Sequence, residues 1–438
     1  MKNEIVRLKC IDMSEDGQGI CKKDGLVIFV KGMIPDEVAD VKIVAEKRNL
    51  SYGIIDKLTE PSPYRIESCC PISYKCGGCD YRYIDYDYQL VLKKRMVEET
   101  FRNFKLDIKV NDVIRCDNPF YYRNKTQIPV ADHKYGFYRK NSNDIVEFDE
   151  CFIETRLAND ILKDLKSLLK NTRPEELIRH IIIKHCVGTG EVMIVFVTRD
   201  LNIDLSDVVL NIVNRYKNIE SVILNLNDKK TNVVLGNKEK VLYGRDYVVD
   251  EFEGLKFKIS SKSFYQVNYH QMIKLYSKAR ELANLNKNNR LLDLYSGIGT
   301  ISLFMSRYVK EVTGVEIVEA AVNNAKENAR LNNISNATFY LDDAKNKLDK
   351  YFTDKDVVVV DPPRKGLSDS LVETLHNVEI DKIIYVSCNP ATLARDLVRL
   401  QDKYYFDEAF PVDMFPFSHH VETVVLMSKI AHPSAKSL

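Results

Sequence analysis

Two residues near the end of the chain carry the side chains that nucleophilic and acid–base chemistry needs. Cys388 follows the apolar run 383-IIYVS and is itself followed by Asn-Pro and a helical pattern. A thiol at the tip of a strand, beside a helix N-terminus, is placed where the thiolate form is favoured. Glu422 lies in the later apolar run 421-VETVVL and can act as a general base. The pair predicts an active site with a nucleophile and a separate base.

One reaction that needs such a pair is the methylation of carbon 5 of a uracil ring. That carbon is too weak a nucleophile to attack a methyl sulfonium until a thiolate adds to carbon 6 and turns the ring into an enolate. A base must afterwards remove the carbon-5 proton so that the thiolate can leave. Taken singly, each residue has a simpler explanation, because a cysteine in an apolar strand is usually core and an isolated glutamate is usually solvated.

A glycine-containing segment, 291-LLDLYSGIGTISLFM-305, has the pattern of a strand, a tight turn and a helix. Glycines in such a turn let a ligand approach the helix N-terminus at the carboxyl edge of a parallel sheet. Ser302 replaces the third glycine of the dinucleotide fingerprint, and Glu316 ends the next strand, where it can accept both ribose hydroxyls. Asp342 and Asp343 end the third strand. The pattern favours S-adenosylmethionine over NAD; the alternative is a tight turn beside a solvated glutamate.

The chain divides into three regions by pattern. Residues 1–59 are short alternating runs separated by turn signals such as EDGQG, which predicts an OB-like β-barrel. Residues 60–250 mix both periodicities and are expected to form a mixed α+β central domain. Residues 251–438 alternate strands with helices, which predicts a parallel, Rossmann-like α/β domain. Its last two strands have no helix between them.

A cysteine motif, 70-CPISYKCGGC-79, lies early in the central region. Its thiols have C-x5-C-x2-C spacing, and Cys151 is a distant fourth. Four thiolates can hold a zinc ion or an iron–sulfur cluster. The paired glycines between Cys76 and Cys79 suit an object larger than one ion, while free thiols are the third alternative. Cys69 competes with Cys70 as a ligand.

Net charge is +1 over 438 residues, so a nucleic-acid site must be a local patch. The segment 115–140 interleaves basic and aromatic side chains, a composition typical of a surface for single-stranded RNA. Packing between strands is the alternative for the aromatic residues. The basic residues are Arg115, Arg123, Lys125, Lys134, Arg139 and Lys140, and the aromatic residues are Phe120, Tyr121, Tyr122, Tyr135, Phe137 and Tyr138.

Together, SCNPATLARDL, DPPRKGL, SFYQVN, YRNK and HVETVVL resemble the RNA uracil-5-methyltransferase family over essentially the whole chain. The resemblance implies a Rossmann-like methyltransferase domain, with Cys388 as the nucleophile and Glu422 as the proton acceptor. It also implies a set of contacts to S-adenosylmethionine. These are Gln266, Tyr295, Glu316, Asp343 and Asp361.

Within that family, the chain resembles the subgroup that methylates 23S ribosomal RNA. The resemblance implies that the barrel is a TRAM module and that a 4Fe–4S cluster is held by four thiols, those of Cys70, Cys76, Cys79 and Cys151. Members that act on transfer RNA in bacteria usually lack both features. We therefore expect methylation of 23S ribosomal RNA. The alternatives are a tRNA uracil-5-methyltransferase and a non-catalytic RNA-binding factor for ribosome assembly, which would need neither Cys388 nor Glu422.

The N-terminal sequence has neither the apolar core nor the cleavage site of a signal peptide. No apolar run reaches the length of a membrane span. We therefore expect a cytoplasmic protein with no membrane partner, whose ten cysteines are kept reduced, and we expect it to be a monomer.

Overall fold

The computed structural model describes residues 2–229, 231–343 and 348–430, and it begins with a closed five-stranded barrel. Around the barrel the strand order is β1-β2-β3-β5-β4, and β4 pairs with β1 to close it. Residues alternate between a buried and a solvated face, as the predicted OB-like barrel requires. The strands are β1 (Ile5–Met13), β2 (Gly19–Lys23), β3 (Leu26–Lys31), β4 (Val38–Lys47) and β5 (Leu50–Glu60).

Helix α1 (Tyr86–Asn103) and the short strand β6 (Lys109–Val110) follow the cysteine motif. The helix begins after Asp85, whose carboxylate accepts the N–H groups of Asp87 and Tyr88. These bonds satisfy two donors that the first helical turn leaves without an intrahelical partner.

A seven-stranded mixed sheet forms the middle of the chain, in the order β13-β12-β11-β10-β7-β8-β9. β11 and β12 are parallel, and the other neighbouring pairs are antiparallel. Its strands are β7 (Lys125–Ala131), β8 (Lys134–Tyr138), β9 (Ile145–Glu147), β10 (Ile178–His185), β11 (Val192–Thr198), β12 (Ile219–Leu226) and β13 (Lys238–Gly244). Its helices are α2 (Arg156–Leu169), α3 (Arg173–Leu177) and α4 (Ser206–Arg215).

The C-terminal region begins with the hairpin of β14 (Tyr247–Phe252) and β15 (Leu255–Ser260). A large sheet follows, built on strands β16 (Arg290–Leu294), β17 (Glu311–Glu316), β18 (Ala337–Leu341), β19 (Val357–Val360), β20 (Lys382–Ser387), β21 (Tyr404–Tyr405), β22 (Glu408–Val412) and β23 (Glu422–Lys429). Its helices are α5 (Tyr269–Ala283), α6 (Thr300–Ser306), α7 (Glu319–Leu331), α8 (Asp349–Phe352), α9 (Asp369–Asn377) and α10 (Pro390–Leu400). None of the described helices is long and apolar enough to span a membrane.

The order in this sheet is β18-β17-β16-β19-β20-β23-β22-β6, and β21 pairs with β23. The strands from β18 to β20 are parallel, whereas β23 runs antiparallel to both β20 and β22. Helices cover both faces, and the central strands are apolar on each side, as β19 shows with four buried valines. The predicted parallel sheet with two final strands and no helix between them is what the structure contains.

One boundary differs from the sequence expectation. The region predicted as a central domain, 60–250, gives α1 and β6 to the C-terminal sheet: β6 pairs with β22, and α1 packs against α10. The reason is hydrophobic burial, because Val97 and Phe101 of α1 lie in the same core cluster as Leu397 of α10. The apolar pattern of α1 predicted a helix but not the surface on which its apolar face is buried.

The sheet brings the predicted site residues to one edge. In parallel strands the carboxyl ends share an edge, and β16, β17, β19 and β20 end at or directly before Tyr295, Glu316, Asp361 and Cys388. Because β23 is antiparallel, its first residue, Glu422, lies at the same edge.

Candidate active site

Cys388 connects the end of β20 to the start of α10 and is partly buried. Pro390 is the first residue of the helix, where its missing N–H costs nothing. Asn389 caps the helix, since its side-chain oxygen accepts the N–H groups of Ala391 and Thr392. The amide groups of the first turn are therefore bonded to Asn389 rather than directed at the sulfur.

The pKa of the Cys388 thiol is raised to about 11, first by burial and then by the negative charges of Glu422 and Asp361. Arg364 acts in the opposite direction but does not compensate. The raised pKa opposes the thiolate form that we expected the helix N-terminus to favour. Two nearby carboxylates and burial outweigh a helix end that is already capped.

Glu422 is the first residue of β23, and its side chain is buried. Burial raises its pKa to about 8, and the charge of Asp361 adds to the effect while Arg364 opposes it. Asp361 is itself fully buried, and burial raises its pKa to about 7. A carboxyl group whose pKa is close to neutral pH is a better proton acceptor than an ordinary glutamate, which is the property a general base needs.

A pocket of about 220 Å³ opens at Cys388. An engineered cavity of about 150 Å³ in another protein admits benzene, so this pocket has room for one six-membered ring. Three parts of the chain line it: the C-terminal sheet edge, α1, and the barrel turn between β1 and β2. The lining residues are Glu15, Asp16, Met96, Thr100, Arg364, Cys388, Asn389, Pro390, His419, His420 and Val421.

The sequence reasoning missed several of these residues. Arg364 lies within DPPRKGL, and His419 and His420 precede the predicted base, but none of the three was assigned a role. These three residues could have been found, because a cation and two imidazoles lie within or beside the DPPRKGL and HVETVVL motifs that the sequence analysis identified. Glu15 and Asp16 had no comparable signal, because only the folded chain brings the barrel turn to this pocket.

The glycine loop after β16 is held open by Glu316. Its Oε2 accepts the N–H of Gly297 at 3.0 Å, and its Oε1 accepts the N–H of Val318 at 2.9 Å. Gly297 has φ of +55°, and a Cβ built on it would meet no atom within 4 Å, so the loop faces open space. The hydroxyl of Ser296 is buried with no hydrogen-bond partner among the described atoms. The loop thus has the room and an unsatisfied polar atom for a ligand.

Ser302, the residue in place of the third fingerprint glycine, donates its hydroxyl hydrogen to Asp293 at 2.5 Å. Burial raises the pKa of Asp293 to about 7, and the charges of Asp361 and Glu316 act in the same direction. The edge therefore concentrates carboxylates, with Arg364 as the nearby cation. Such a set favours a ligand with positive charge, as the sulfonium and ammonium groups of S-adenosylmethionine have, and disfavours the pyrophosphate of NAD.

The remaining predicted cofactor contacts lie around this loop. Tyr295 directly follows β16 with φ of +68°. Burial raises its pKa to about 12, and the charge of Asp343 is the next cause, which places the two side chains near each other. Gln266 is buried in the segment between β15 and α5.

The four predicted cluster thiols line one cavity of about 250 Å³. Cys70, Cys76, Cys79 and Cys151 all belong to its wall, whereas Cys69 is exposed and lies outside it. Burial raises the pKa of Cys76, and it raises that of Cys79 to about 12. Within residues 2–229, 231–343 and 348–430, however, no three His, Cys, Asp or Glu side chains are close enough together to hold a metal ion. The predicted metal site is therefore not supported by the positions of the side chains.

Part of the predicted RNA surface at 115–140 forms internal contacts, whereas Arg115, Lys134, Tyr138 and Arg139 are exposed. Lys140 forms an ion pair with Asp80 at 2.7 Å, and Arg123 pairs with Glu154 at 3.4 Å. Of the aromatic residues, Tyr122 and Tyr135 are buried. Acidic partners from other parts of the chain neutralise cations that the sequence showed as a basic run, so this segment alone is not the strongly basic surface that we expected.

Comparison with known proteins agrees with this arrangement. Residues 85–430 match the family described as tRNA (Uracil-5-)-methyltransferase. The solved structure of Pyrococcus abyssi tRNA (uracil-54, C5)-methyltransferase in complex with S-adenosyl-L-homocysteine is 27% identical, with a TM-score of 0.78, over 96% of this chain and 99% of that one. A protein of Bacillus cereus named "Uncharacterized RNA methyltransferase" is 39% identical over 448 residues, 98% of this chain and 97% of its own. One of the same description from Halalkalibacterium halodurans is 37% identical over 97% of both chains.

The C-terminal sheet therefore has the fold of an S-adenosylmethionine-dependent methyltransferase, and the adenosyl ligand in the Pyrococcus structure supports that cofactor. The chain belongs to the tRNA (uracil-5-)-methyltransferase family. The predicted family and methyl donor are confirmed. The Bacillus and Halalkalibacterium proteins are named only as RNA methyltransferases, whereas the Pyrococcus protein is named as an enzyme for transfer RNA. None of these names mentions a metal cluster.

Proposed function

We propose that this protein methylates carbon 5 of a uridine in RNA through a covalent bond between Cys388 and carbon 6 of the base. One observation carries the proposal: Cys388 and Glu422 lie at adjacent ends of the neighbouring strands β20 and β23, where Ser387 is paired with Thr423. Each of the two residues has its pKa raised, and Glu422 is one cause of the raised pKa of Cys388. Binding RNA alone would require neither side chain.

The two residues act at different steps. The thiolate of Cys388 adds to carbon 6, and the electrons of the 5,6 double bond form an enolate with nucleophilic character at carbon 5. S-adenosylmethionine, when bound, supplies the electrophilic methyl group. Glu422 then accepts the proton from carbon 5, the double bond forms again, and the thiolate leaves. Arg364, at the wall of the same pocket, is placed to stabilise negative charge on the ring.

The residues that would hold the methyl donor are the five predicted from the sequence. Glu316 is already fixed by two backbone N–H groups, and its remaining lone pairs can accept ribose hydroxyls. The charge of Asp361 acts on Cys388 and Glu422 and also on Asp293 below the glycine loop, so Asp361 is close to both the base pocket and the cofactor loop. The complete set is Gln266, Tyr295, Glu316, Asp343 and Asp361.

We propose 23S ribosomal RNA as the substrate, modified in the cytoplasm by a monomer. The support is the combination of an N-terminal barrel with a four-cysteine cavity, the two features by which the sequence resembles the ribosomal subgroup. The second candidate is transfer RNA, which the likeness to the Pyrococcus tRNA enzyme over nearly the full chain favours.

We further propose that the cysteine cavity holds a 4Fe–4S cluster. The donor set fits by its chemistry, since four cysteines line one cavity together with aromatic residues such as Phe137 and Phe148 and the cations Arg82 and Arg123. A cubane needs its thiols farther apart than a zinc ion does, which is consistent with thiols that share a cavity without converging on one point. Protein purified without oxygen should be brown and contain about four irons per chain. Colourless protein with a single zinc would overturn the assignment.

The catalytic proposal is tested with purified protein, labelled S-adenosylmethionine, and ribosomal and transfer RNA from a strain that lacks the enzyme. We expect 5-methyluridine in 23S ribosomal RNA and a covalent adduct with RNA that contains 5-fluorouridine. Cys388→Ala should abolish both, and Cys69→Ala, which changes an exposed thiol, should abolish neither. RNA binding without methyl transfer would instead favour the assembly factor, and label confined to transfer RNA would favour the second candidate.

A further inference from the structure

His419 is held at the wall of the Cys388 pocket by a carboxylate from a distant part of the chain. Its Nδ1 lies 2.7 Å from Oδ2 of Asp80, and Oδ1 of Asp80 accepts a hydrogen from Lys140 Nζ, also at 2.7 Å. The backbone N–H of Asp80 donates to the carbonyl of Phe417 at 3.0 Å, which ties the two loops together. The Nδ1 of the imidazole is thus bonded to Asp80 while the residue lines the pocket.

The barrel turn restricts this arrangement further. Gly17 has φ of +77°, and a Cβ built on it would lie 3.4 Å from both Asp80 and His419. The turn therefore packs directly against the pair. The His419 ring also lies against His420, with centroids 4.0 Å apart. These contacts leave the ring little freedom to rotate away from the Asp80 carboxylate.

The hydrogen-bond partners fix which nitrogen of His419 carries the hydrogen. An ammonium group can only donate, so Lys140 requires an acceptor, and the other oxygen of the same carboxylate accepts as well. Nδ1 of His419 must therefore donate to Asp80, and the neutral ring has its lone pair on Nε2.

We propose that His419 is a specificity-determining residue whose Nε2 accepts the N3–H of uracil in the Cys388 pocket, and that Asp80 is the positioning residue that fixes this tautomer. The inference rests on the proposed function. Uracil carries a hydrogen on N3, whereas cytosine presents a lone pair there, which would face the lone pair of Nε2. A site built to bond a substrate N–H strongly rejects an analogue that lacks it, because its own polar group is then left unpaired.

The matching experiment compares two transcripts of the RNA that the wild-type protein methylates. One carries 5-fluorouridine at the target, and the other has 5-fluorocytidine there; the rate of covalent adduct formation is followed on denaturing gels. Wild-type protein should react with the uridine transcript at least about 100-fold faster. His419→Ala should reduce this ratio at least about tenfold, and His419→Gln, whose amide oxygen can also accept, should retain more of it.

Asp80→Asn gives a sharper test. Lys140 still requires an acceptor, so the amide oxygen faces Lys140 and the amide NH2 faces Nδ1 of His419. Nδ1 then becomes the acceptor and the hydrogen moves to Nε2, which now suits the N3 lone pair of cytosine. A carboxylate-to-amide change of this kind in a catalytic triad is known to leave the wrong tautomer. The uridine-to-cytidine ratio should fall at least about tenfold in this variant also.

Ser418→Ala is the matched control, because it changes the neighbouring residue of the loop without touching Nδ1 or Asp80. It should leave the ratio within about twofold of wild type, whatever its effect on the absolute rates. If the His419 and Asp80 variants slowed adduct formation equally with both transcripts, the two residues would have only a structural role, and the inference would be overturned. If wild-type protein formed no adduct with any RNA, the proposed function itself would fail. If Asp80→Asn does not fold, the uridine-to-cytidine ratio of the folded His419→Ala variant decides whether His419 determines specificity.

Discussion

Lys93 of α1 and Asp413, in the loop between β22 and β23, form an ion pair in which neither side chain is exposed to solvent. Lys93 Nζ also donates to the carbonyl of Phe415 at 3.0 Å, and Asp413 accepts the Tyr86 hydroxyl at 2.7 Å. The pair joins a helix from the middle of the chain to the loop that continues into the histidines and Glu422. The position of the pocket wall therefore depends on α1.

Replacing Lys93 by Met should destabilise the protein by about 3–5 kcal/mol, because it leaves the Asp413 carboxylate buried without its partner. The measurement is the free energy of unfolding in urea. The double variant Lys93→Met with Asp413→Leu should recover much of the loss, since it removes both charges. Lys94→Met is the control: Lys94 pairs with Asp112, whose side chain is almost fully exposed, and its loss should cost less than about 1 kcal/mol. Equal costs for the two lysines would show that the buried pair has no special role.

The sequence predicts the parts of this site that depend on local patterns, and it fails for contacts between residues far apart in the chain. The ends of β16, β17, β19 and β20 follow from local alternation of apolar runs, glycines and helix starts. That local signal was sufficient to place Glu316 and Cys388 at one edge. Two apolar runs with no helix between them predicted two final strands, but not that the last strand is antiparallel and so brings Glu422 beside them.

The contacts that could not be predicted join residues far apart in the chain. Asp80 and His419 are 339 positions apart, and nothing in either local sequence indicates the other. The barrel turn with Glu15 and Asp16 reaches the pocket through tertiary packing, since Gly17 of the same turn lies against Asp80, Tyr81 and His419. Lys140 was assigned to an RNA surface because the sequence shows its charge but not the carboxylate of Asp80 that neutralises it.

Glu316→Ala should weaken binding of S-adenosylmethionine by about 1.5–3 kcal/mol, the range for losing a hydrogen bond to a charged acceptor. The variant also removes the acceptor for the Gly297 and Val318 N–H groups, so the glycine loop loses its support. Titration calorimetry gives the affinity directly. Glu316→Gln keeps one acceptor oxygen and should lose less. Unchanged affinity in the alanine variant would place the ribose elsewhere.

The reactivity of Cys388 should depend on the charge of the bound cofactor. Because Glu422 and Asp361 help to raise the pKa of this thiol to about 11, a positive charge nearby should lower it. S-adenosylmethionine and S-adenosylhomocysteine have nearly the same shape, but only the first carries a sulfonium. We expect the pH midpoint for alkylation of Cys388 by iodoacetamide to be lower by about 1 pH unit with the sulfonium compound.

Mass spectrometry of the peptide that contains Cys388 separates its reaction from that of the other cysteines. Cys69, which is exposed, serves as the internal control and should alkylate at the same rate with either ligand. Identical midpoints for Cys388 would mean that the sulfonium does not bind near the thiol. Asp361→Asn should also lower the midpoint, because it removes one of the charges that disfavour the thiolate.

Glu422→Gln should separate the catalytic steps. The variant keeps Cys388, so it should still form the covalent adduct and transfer the methyl group, both of which precede removal of the carbon-5 proton. It should then stall while bound to its methylated RNA and run as a slow band on a denaturing gel. Added thiol should not release the RNA, because the missing group is a base rather than a nucleophile.

In wild-type protein, release should become faster as pH rises through about 8, since only the deprotonated carboxylate can accept the proton. That dependence should be absent in the variant, and a variant that releases methylated RNA at the wild-type rate would assign the base to another residue. Adding Cys388→Ala to Glu422→Gln should remove the adduct altogether; an adduct that persists would assign the nucleophile to another thiol, with Cys116 and Cys186 the next to test.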